Sequence, residues 1–212
     1  MNAQSILGVY VSRSTELNQR MRDERRENIL HHALRLFSTK GLYATKVSDI
    51  AAEVQMSQGL LYHYFRSKEE IYTELIRNAF EKMNTAARGL EESPMAPREK
   101  IRMALTQLLH DIEENEDFAA TVLLNAQAGI SDVTPAEAQE ILSRESGVPY
   151  GVIERIIKAG QVDGTIKQAD AKALSLVFWT TIKGLALHKA VYGAAYKSPD
   201  VNIITSMFFT DE

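Results

Sequence analysis

The chain has 212 residues, 45% hydrophobic and 25% charged, ordinary for a soluble globular protein with a core of useful size; no apolar run is long enough to span a bilayer and no basic-then-apolar leader follows Met1, so a cytoplasmic protein without a membrane partner is expected. The absence of cysteine excludes disulfides, thiolate catalysis and cysteine-ligated zinc or iron–sulfur sites. The net charge of −4 divides into +2 over residues 1–70 and −6 over residues 71–212, which argues against coating nucleic acid along the whole surface and fits local phosphate contact by a basic head.

In chain order, residues 1–20 mix Ser, Asn and Gln with a small apolar patch from Ile6 to Val11, and read as a flexible arm. A helix is predicted from about Arg22 to Lys40, with Ile29, Leu30, Ala33, Leu36 and Phe37 as its apolar stripe, and Gly41 closing it. Residues 41–70 read as two short helices joined by a tight corner. The first carries Val47, Ile50, Ala51 and Val54 on one face. The corner is Gln55-Met56-Ser57, where Ser57 can accept a backbone N–H and cap the second helix, Gln58 to about Tyr64. Ser67 to Glu70 form a capping box that opens a helix to about Leu90, carrying Ile71, Leu75, Ala79, Phe80 and Met83. This helix is expected to be the route from head to body.

Ser93-Pro94-Met95-Ala96-Pro97 is a break. Helices follow at about 98–114 and 117–128, and Thr134-Pro135-Ala136-Glu137 combines an N-cap, proline at the first helical position and a capping glutamate. Gly147 to Gly151 interrupt that helix, another covers about 152–161, and Asp163-Gly164 make a turn. Residues 170–191 form the most hydrophobic helix, and Ser198-Pro199 open a last one ending near Phe209. No stretch alternates like a strand. The expected fold is all-α: an arm over 1–20, a three-helix helix-turn-helix DNA-binding domain over 21–67, and a helical body over 68–212.

A helix-turn-helix presents the first turn of its second helix to the bases of double-stranded DNA, while flanking hydroxyls, amides and lysines hold phosphates. By position, Gln58 suits bidentate pairing with adenine and Leu60 suits contact with a thymine methyl. Gly59 allows close approach, and Ser57 stands at the start of the same helix. His63 divides evenly between groove contact and a solvated position. Lys46 and the Arg22, Arg25 and Arg26 cluster offer phosphate attraction, with a solvated helix face as the alternative.

The register Gly41, Thr45, Val47, Ile50, Ala51, Ser57, Gly59, Leu61, Tyr62, Tyr64, Phe65, Ser67, Lys68 and Glu69 resembles the N-terminal domain of the TetR family of bacterial transcriptional regulators. The strong resemblance covers roughly residues 22–76. It implies phosphate contacts by Thr45, Tyr62, Tyr64 and Lys68, with Tyr64 equally suited to a small core. Two positions depart from the family pattern. Gln55 occupies a corner where Gly, Asn or Lys is common, and a left-handed backbone there costs glutamine more than glycine. Leu60 stands where Thr or Ala is frequent, removing a hydroxyl.

A reader of a few base pairs needs two copies for specificity. The resemblance implies that the body over 68–212 is an effector-binding and dimerisation domain, with a homodimer held by a four-helix bundle of the last two long helices and Leu174, Phe178, Ile182, Leu185, Ile204 and Phe208 as candidate interface residues; the alternative is protomer core. It also implies a pocket for a small-molecule effector of unknown identity in the middle helices. Met103, Gln107, His110, Phe118, Leu123, Asn125, Tyr150 and Trp179 are candidate lining residues, all equally suited to ordinary core or surface. The histidines are scattered without metal-ligand spacing, and no phosphate loop, nucleophile elbow or carboxylate pair appears, so no catalytic residue, metal or cofactor is expected. The function implied is a ligand-responsive regulator, a repressor released from a palindromic operator by its effector. The alternative is a helical DNA-binding adaptor governed by a protein partner.

Overall fold

Ten α-helices follow one another in the computed structural model, which describes residues 3–210, with side chains from Leu17 onward: α1 Ala3–Ala44, α2 Val47–Glu53, α3 Gln58–Tyr62, α4 Lys68–Glu92, α5 Pro97–Glu114, α6 Glu116–Ile130, α7 Ala136–Glu145, α8 Val148–Val162, α9 Ala171–Tyr192 and α10 Val201–Thr205. Among the described residues none of these helices is long and apolar enough to cross a membrane. Backbone from Ala3 is helical within the stretch 1–20 expected to be a flexible arm; the side chains of most of that stretch lie outside the described residues. Gly41 breaks the run at φ 77°, as a closing glycine does.

Local signals explain most boundaries. Ser67 accepts from the Glu70 N–H at 3.1 Å, and Glu70 reaches back to the Arg66 N–H at 2.6 Å, which fixes the start of α4. Asp170 and Asp200 cap α9 and α10 by accepting from Lys172 and Asn202. Three boundaries differ from expectation. Thr134 does not cap α7: its hydroxyl donates to the Ala128 carbonyl at 3.0 Å, and it is buried at the end of α6. The helix expected from 152 begins at Val148, because Pro149 falls in its first turn, where its missing N–H costs nothing. The last helix is only five residues long, starts past Ser198 and is followed by turns. Its tail is stapled to the α8–α9 turn by an isolated bridge, with Lys167 N–H donating to the Phe208 carbonyl at 2.8 Å.

Two apolar cores form. One gathers Ile29, Ala33 and Phe37 of α1, Ile50 of α2, Leu61 of α3, Phe65, and Ile71, Tyr72 and Ile76 of α4. It does not stop at residue 67: Leu124 and Ala128 of α6 and Ala138 and Ile141 of α7 belong to it. The other joins α5, α8 and α9 through Ile101, Leu105, Ile112, Val152, Ile157, Phe178 and Ile182, closed by Phe208. α4 is therefore not the sole link between head and body. At the α1–α6 contact His31 Nδ1 lies 2.6 Å from Asp117, Arg35 pairs with Glu116 at 2.7 Å, and Gln127 donates to the Ser38 carbonyl. Burial of Tyr72 in this core pushes its phenol above the ordinary tyrosine range, against a smaller lowering by the neighbouring Thr134 side chain. Farther down α4, Glu91 grips Arg155 of α8 through two hydrogen bonds of 2.6 and 2.8 Å, and these hold its carboxyl below the usual range.

Candidate nucleic-acid interface

The corner between α2 and α3 sets the direction of everything after it. Gln55 adopts φ 53°, the one positive φ outside glycine among the described residues, and Met56 N–H returns to the Ala51 carbonyl at 2.9 Å. A left-handed L-residue costs roughly 1–2 kcal/mol, which glycine avoids at an entropic penalty in the unfolded chain. Gln55→Gly should therefore raise stability by about 0.5–1 kcal/mol, read as a higher urea midpoint at unchanged slope; a lower midpoint would show that the glutamine side chain compensates.

Past the corner, Ser57 accepts from the Leu60 N–H at 3.2 Å and starts α3. Leu61 is fully buried against the head core. At about 100° per residue, Gly59 and His63 lie opposite Leu61, Tyr62 and Gln58 follow round one side of the helix, and all four are exposed. Leu60 is partly exposed at the edge of this face, at 38%. Ser57 and Lys46 are exposed beside it. A side chain that reads a base must stand free in this way, since the groove replaces the solvent around it.

Three of the expected phosphate contacts are otherwise employed. The Thr45 side chain is buried, and its hydroxyl donates to the Gly41 carbonyl at 2.7 Å. Lys68 Nζ donates to the carbonyls of Leu42, Tyr43 and Thr45 at 2.8, 3.2 and 2.8 Å, so its three protons tie down the orphan carbonyls at the end of α1. Tyr64 is half-buried, with its hydroxyl accepting from Arg25 at 3.2 Å. Tyr62 is half exposed, and its hydroxyl has no protein partner among the described residues. One residue was missed: Tyr43 is 85% exposed three positions before Lys46, and an amphipathic phenol there suits a phosphate. Its signal was an aromatic lying off the apolar period of α1. Arg26 is committed to the interior, donating to the Tyr64 carbonyl and to Glu74 and lying 4.1 Å over the Phe65 ring.

The body residues separate into two groups. Phe118, Leu123, Asn125, Tyr150 and Trp179 are buried or half-buried, and Trp179 Nε1 and Asn125 Oδ1 are buried without a protein hydrogen-bond partner. Met103, Gln107 and His110 lie instead on the exposed side of α5, away from Ile101, Leu105 and Leu109, so they do not face the protomer interior. Of the expected interface, Phe178, Ile182, Ile204 and Phe208 are protomer core, and Leu174 and Leu185 pack half-buried against it. Among the described residues no group of His, Asp or Glu is placed to hold a metal ion.

A short exposed helix on a three-helix head, joined to a larger helical body, is the arrangement of a helix-turn-helix protein. Residues 29–75 match the family model described as bacterial regulatory proteins, tetR family. The chain is 30% identical over 129 residues to the uncharacterized HTH-type transcriptional regulator YuxN of Bacillus subtilis, covering 61% of this chain and 44% of that one, so it spans under half of that relative. Over 156 residues it is 26% identical to the HTH-type transcriptional repressor NicS of Pseudomonas putida, covering 74% of this chain and 72% of that protein. The solved ketosteroid transcriptional regulator KstR2 of Mycobacterium tuberculosis superposes with a TM-score of 0.73 at 21% identity, over 88% of this chain and 96% of that one, a likeness of fold.

Proposed function

We propose that this protein is a cytoplasmic transcriptional repressor that binds a palindromic operator as a homodimer and is released by a small-molecule effector. The observation that carries the reading is α3 itself, with Gln58, Gly59 and Tyr62 exposed while Leu61 is buried in the head core. Gln58 and Leu60 read bases, and Lys46, Ser57, Tyr62 and Tyr43 hold phosphates. Lys68 and Thr45 act as positioning residues that fix the α1–α2 corner.

The dimer forms through the outer face of α9. At about 100° per residue, Leu176, Val177, Thr180, Gly184, Leu187 and Val191 fall on one stripe, all exposed and opposite Phe178, Ile182 and Ala186. A helix apolar on both faces is buried on both. The effector occupies the interior near Phe118, Tyr150 and Trp179, where an acceptor for Trp179 Nε1 and a donor for Asn125 Oδ1 would satisfy two groups that are costly to leave unpaired. Its binding shifts α4 and α6, both packed against the head, and so the separation of the two reading helices. This action is binding rather than catalysis.

Selecting duplexes from a random pool with the full-length protein tests the reading. A two-fold-symmetric sequence should emerge, and Gln58→Ala should lose about 1–3 kcal/mol of discrimination at one base pair of each half-site. Equal weakening on every single-base variant would remove Gln58 as a base reader. A ligand without effect on DNA release, beside a protein that triggers it, would favour the adaptor.

A further inference from the structure

Beside the reading helix lies an open groove of about 400 Å³, lined by Asn18, Met21, Arg22 and Arg25 of α1 with His63 and Tyr64. The four α1 residues recur at spacings of three and four, so one stripe of the helix faces the groove. His63 also shares the exposed face of α3 with Gln58, Gly59 and Tyr62. The DNA-facing surface therefore continues past the end of α3 onto α1. The charge there is positive: Arg22 has no carboxylate partner among the described residues, and Arg25 is held toward the groove by its bond to the Tyr64 hydroxyl at 3.2 Å. That bond favours the charged arginine and raises its pKa. Nearby acids turn elsewhere: Glu24 pairs with Arg20, and Asp23 accepts from Gln19.

We propose that Arg22 and Arg25, with His63 at the junction, form a second phosphate-binding element that grips the duplex backbone outside the segment read by α3. The inference rests on the DNA-binding reading above and adds to it a footprint longer than the major-groove contact. Phosphate contacts of this kind carry no sequence information and release counterions, so each lost contact lowers the slope of log affinity against log salt by about 0.9. Among the described residues the head core begins at Ile29, and the turns of α1 from Asn18 to Arg25 then act as the arm that reaches the flanking backbone.

The experiment uses the full-length protein and a duplex selected from a random pool, with affinity followed by fluorescence anisotropy across salt concentrations. The Arg22→Ala, Arg25→Ala double variant should lower the salt slope by about 1.8 per bound protomer, so its defect at about 50 mM salt exceeds that at about 200 mM by roughly tenfold per protomer. All single-base variants of the duplex should weaken alike. Arg20→Ala, which removes a charge paired with Glu24 and leaves both groove arginines in place, should keep the slope. Uncharged methylphosphonates at the flanking phosphates should abolish the difference between wild type and double variant. An unchanged slope for the double variant, while Tyr62→Ala still weakens binding, overturns this inference and leaves the DNA-binding reading intact. If no duplex is selected and no α3 variant alters binding, both fail.

Discussion

Phe65→Ala is expected to cost about 3–5 kcal/mol of folding free energy, the range for deleting a buried phenyl ring. Phe65 is 1% exposed at the point where the end of α3, α1 and the start of α4 converge. Its ring also supports the Arg26 guanidinium at 4.1 Å, which in turn joins the Tyr64 carbonyl to Glu74. Removing the ring leaves a cavity beneath a partly buried charge, and α3, only five residues long, has no independent stability to resist. Against a total stability of order 5–15 kcal/mol, such a loss should unfold a measurable fraction of the head near growth temperature and abolish DNA binding by every sequence. Urea denaturation followed by circular dichroism measures the cost. Phe65→Leu should lose markedly less, because most of the volume remains. A loss below about 1 kcal/mol for the alanine variant would mean that the head collapses around the site, and that α3 is held by its caps rather than by this ring.

The helix-turn-helix was legible because its determinants are local. Gly41, Ser57 and Ser67 act on backbone groups within a few residues, and Gln55 shows the left-handed corner its position suggests. Chemistry that reaches across the chain was not legible. An ammonium satisfies itself equally on phosphate oxygens and on peptide carbonyls, and nothing in the residue type says which is nearer. For Lys68 the deciding fact is that the end of α1 turns three carbonyls toward it, from residues 23–26 positions away. Thr134 likewise sits where a cap belongs, yet finds the open carbonyl of Ala128 first. The pocket candidates on α5 failed for a different reason. Met103, Gln107 and His110 follow helical spacing among themselves, but so do Ile101, Leu105 and Leu109, and the apolar set won the interior. The middle of the chain carries no motif to break such ties.

Helix α9 poses the sharpest version of that ambiguity, and Leu187→Glu is the substitution that resolves it. The sequence shows a helix apolar nearly all round, which demands burial on more than one side but does not say which side meets its own protomer. The structure gives the inner side to Phe178, Trp179, Ile182 and Ala186 and leaves Leu176 and Leu187 54% and 50% exposed, three helical turns apart on the outer stripe. In the proposed dimer, two-fold symmetry places each such leucine in the interface twice. Withdrawing two leucines from a buried contact removes about 3–6 kcal/mol, and placing carboxylates there adds an unpaired charge. The dimer Kd should therefore rise by a hundredfold or more, seen as monomer in sedimentation equilibrium at micromolar protein, while the thermal unfolding of the separated protomer keeps its cooperative transition. Phe178→Ala is the contrasting variant: it should lower protomer stability first and association only as a consequence. Operator affinity of Leu187→Glu should fall toward that of a single half-site, because two weak readers bind tightly only when joined. An unaltered association constant would place the interface elsewhere and leave the outer stripe of α9 to a different partner.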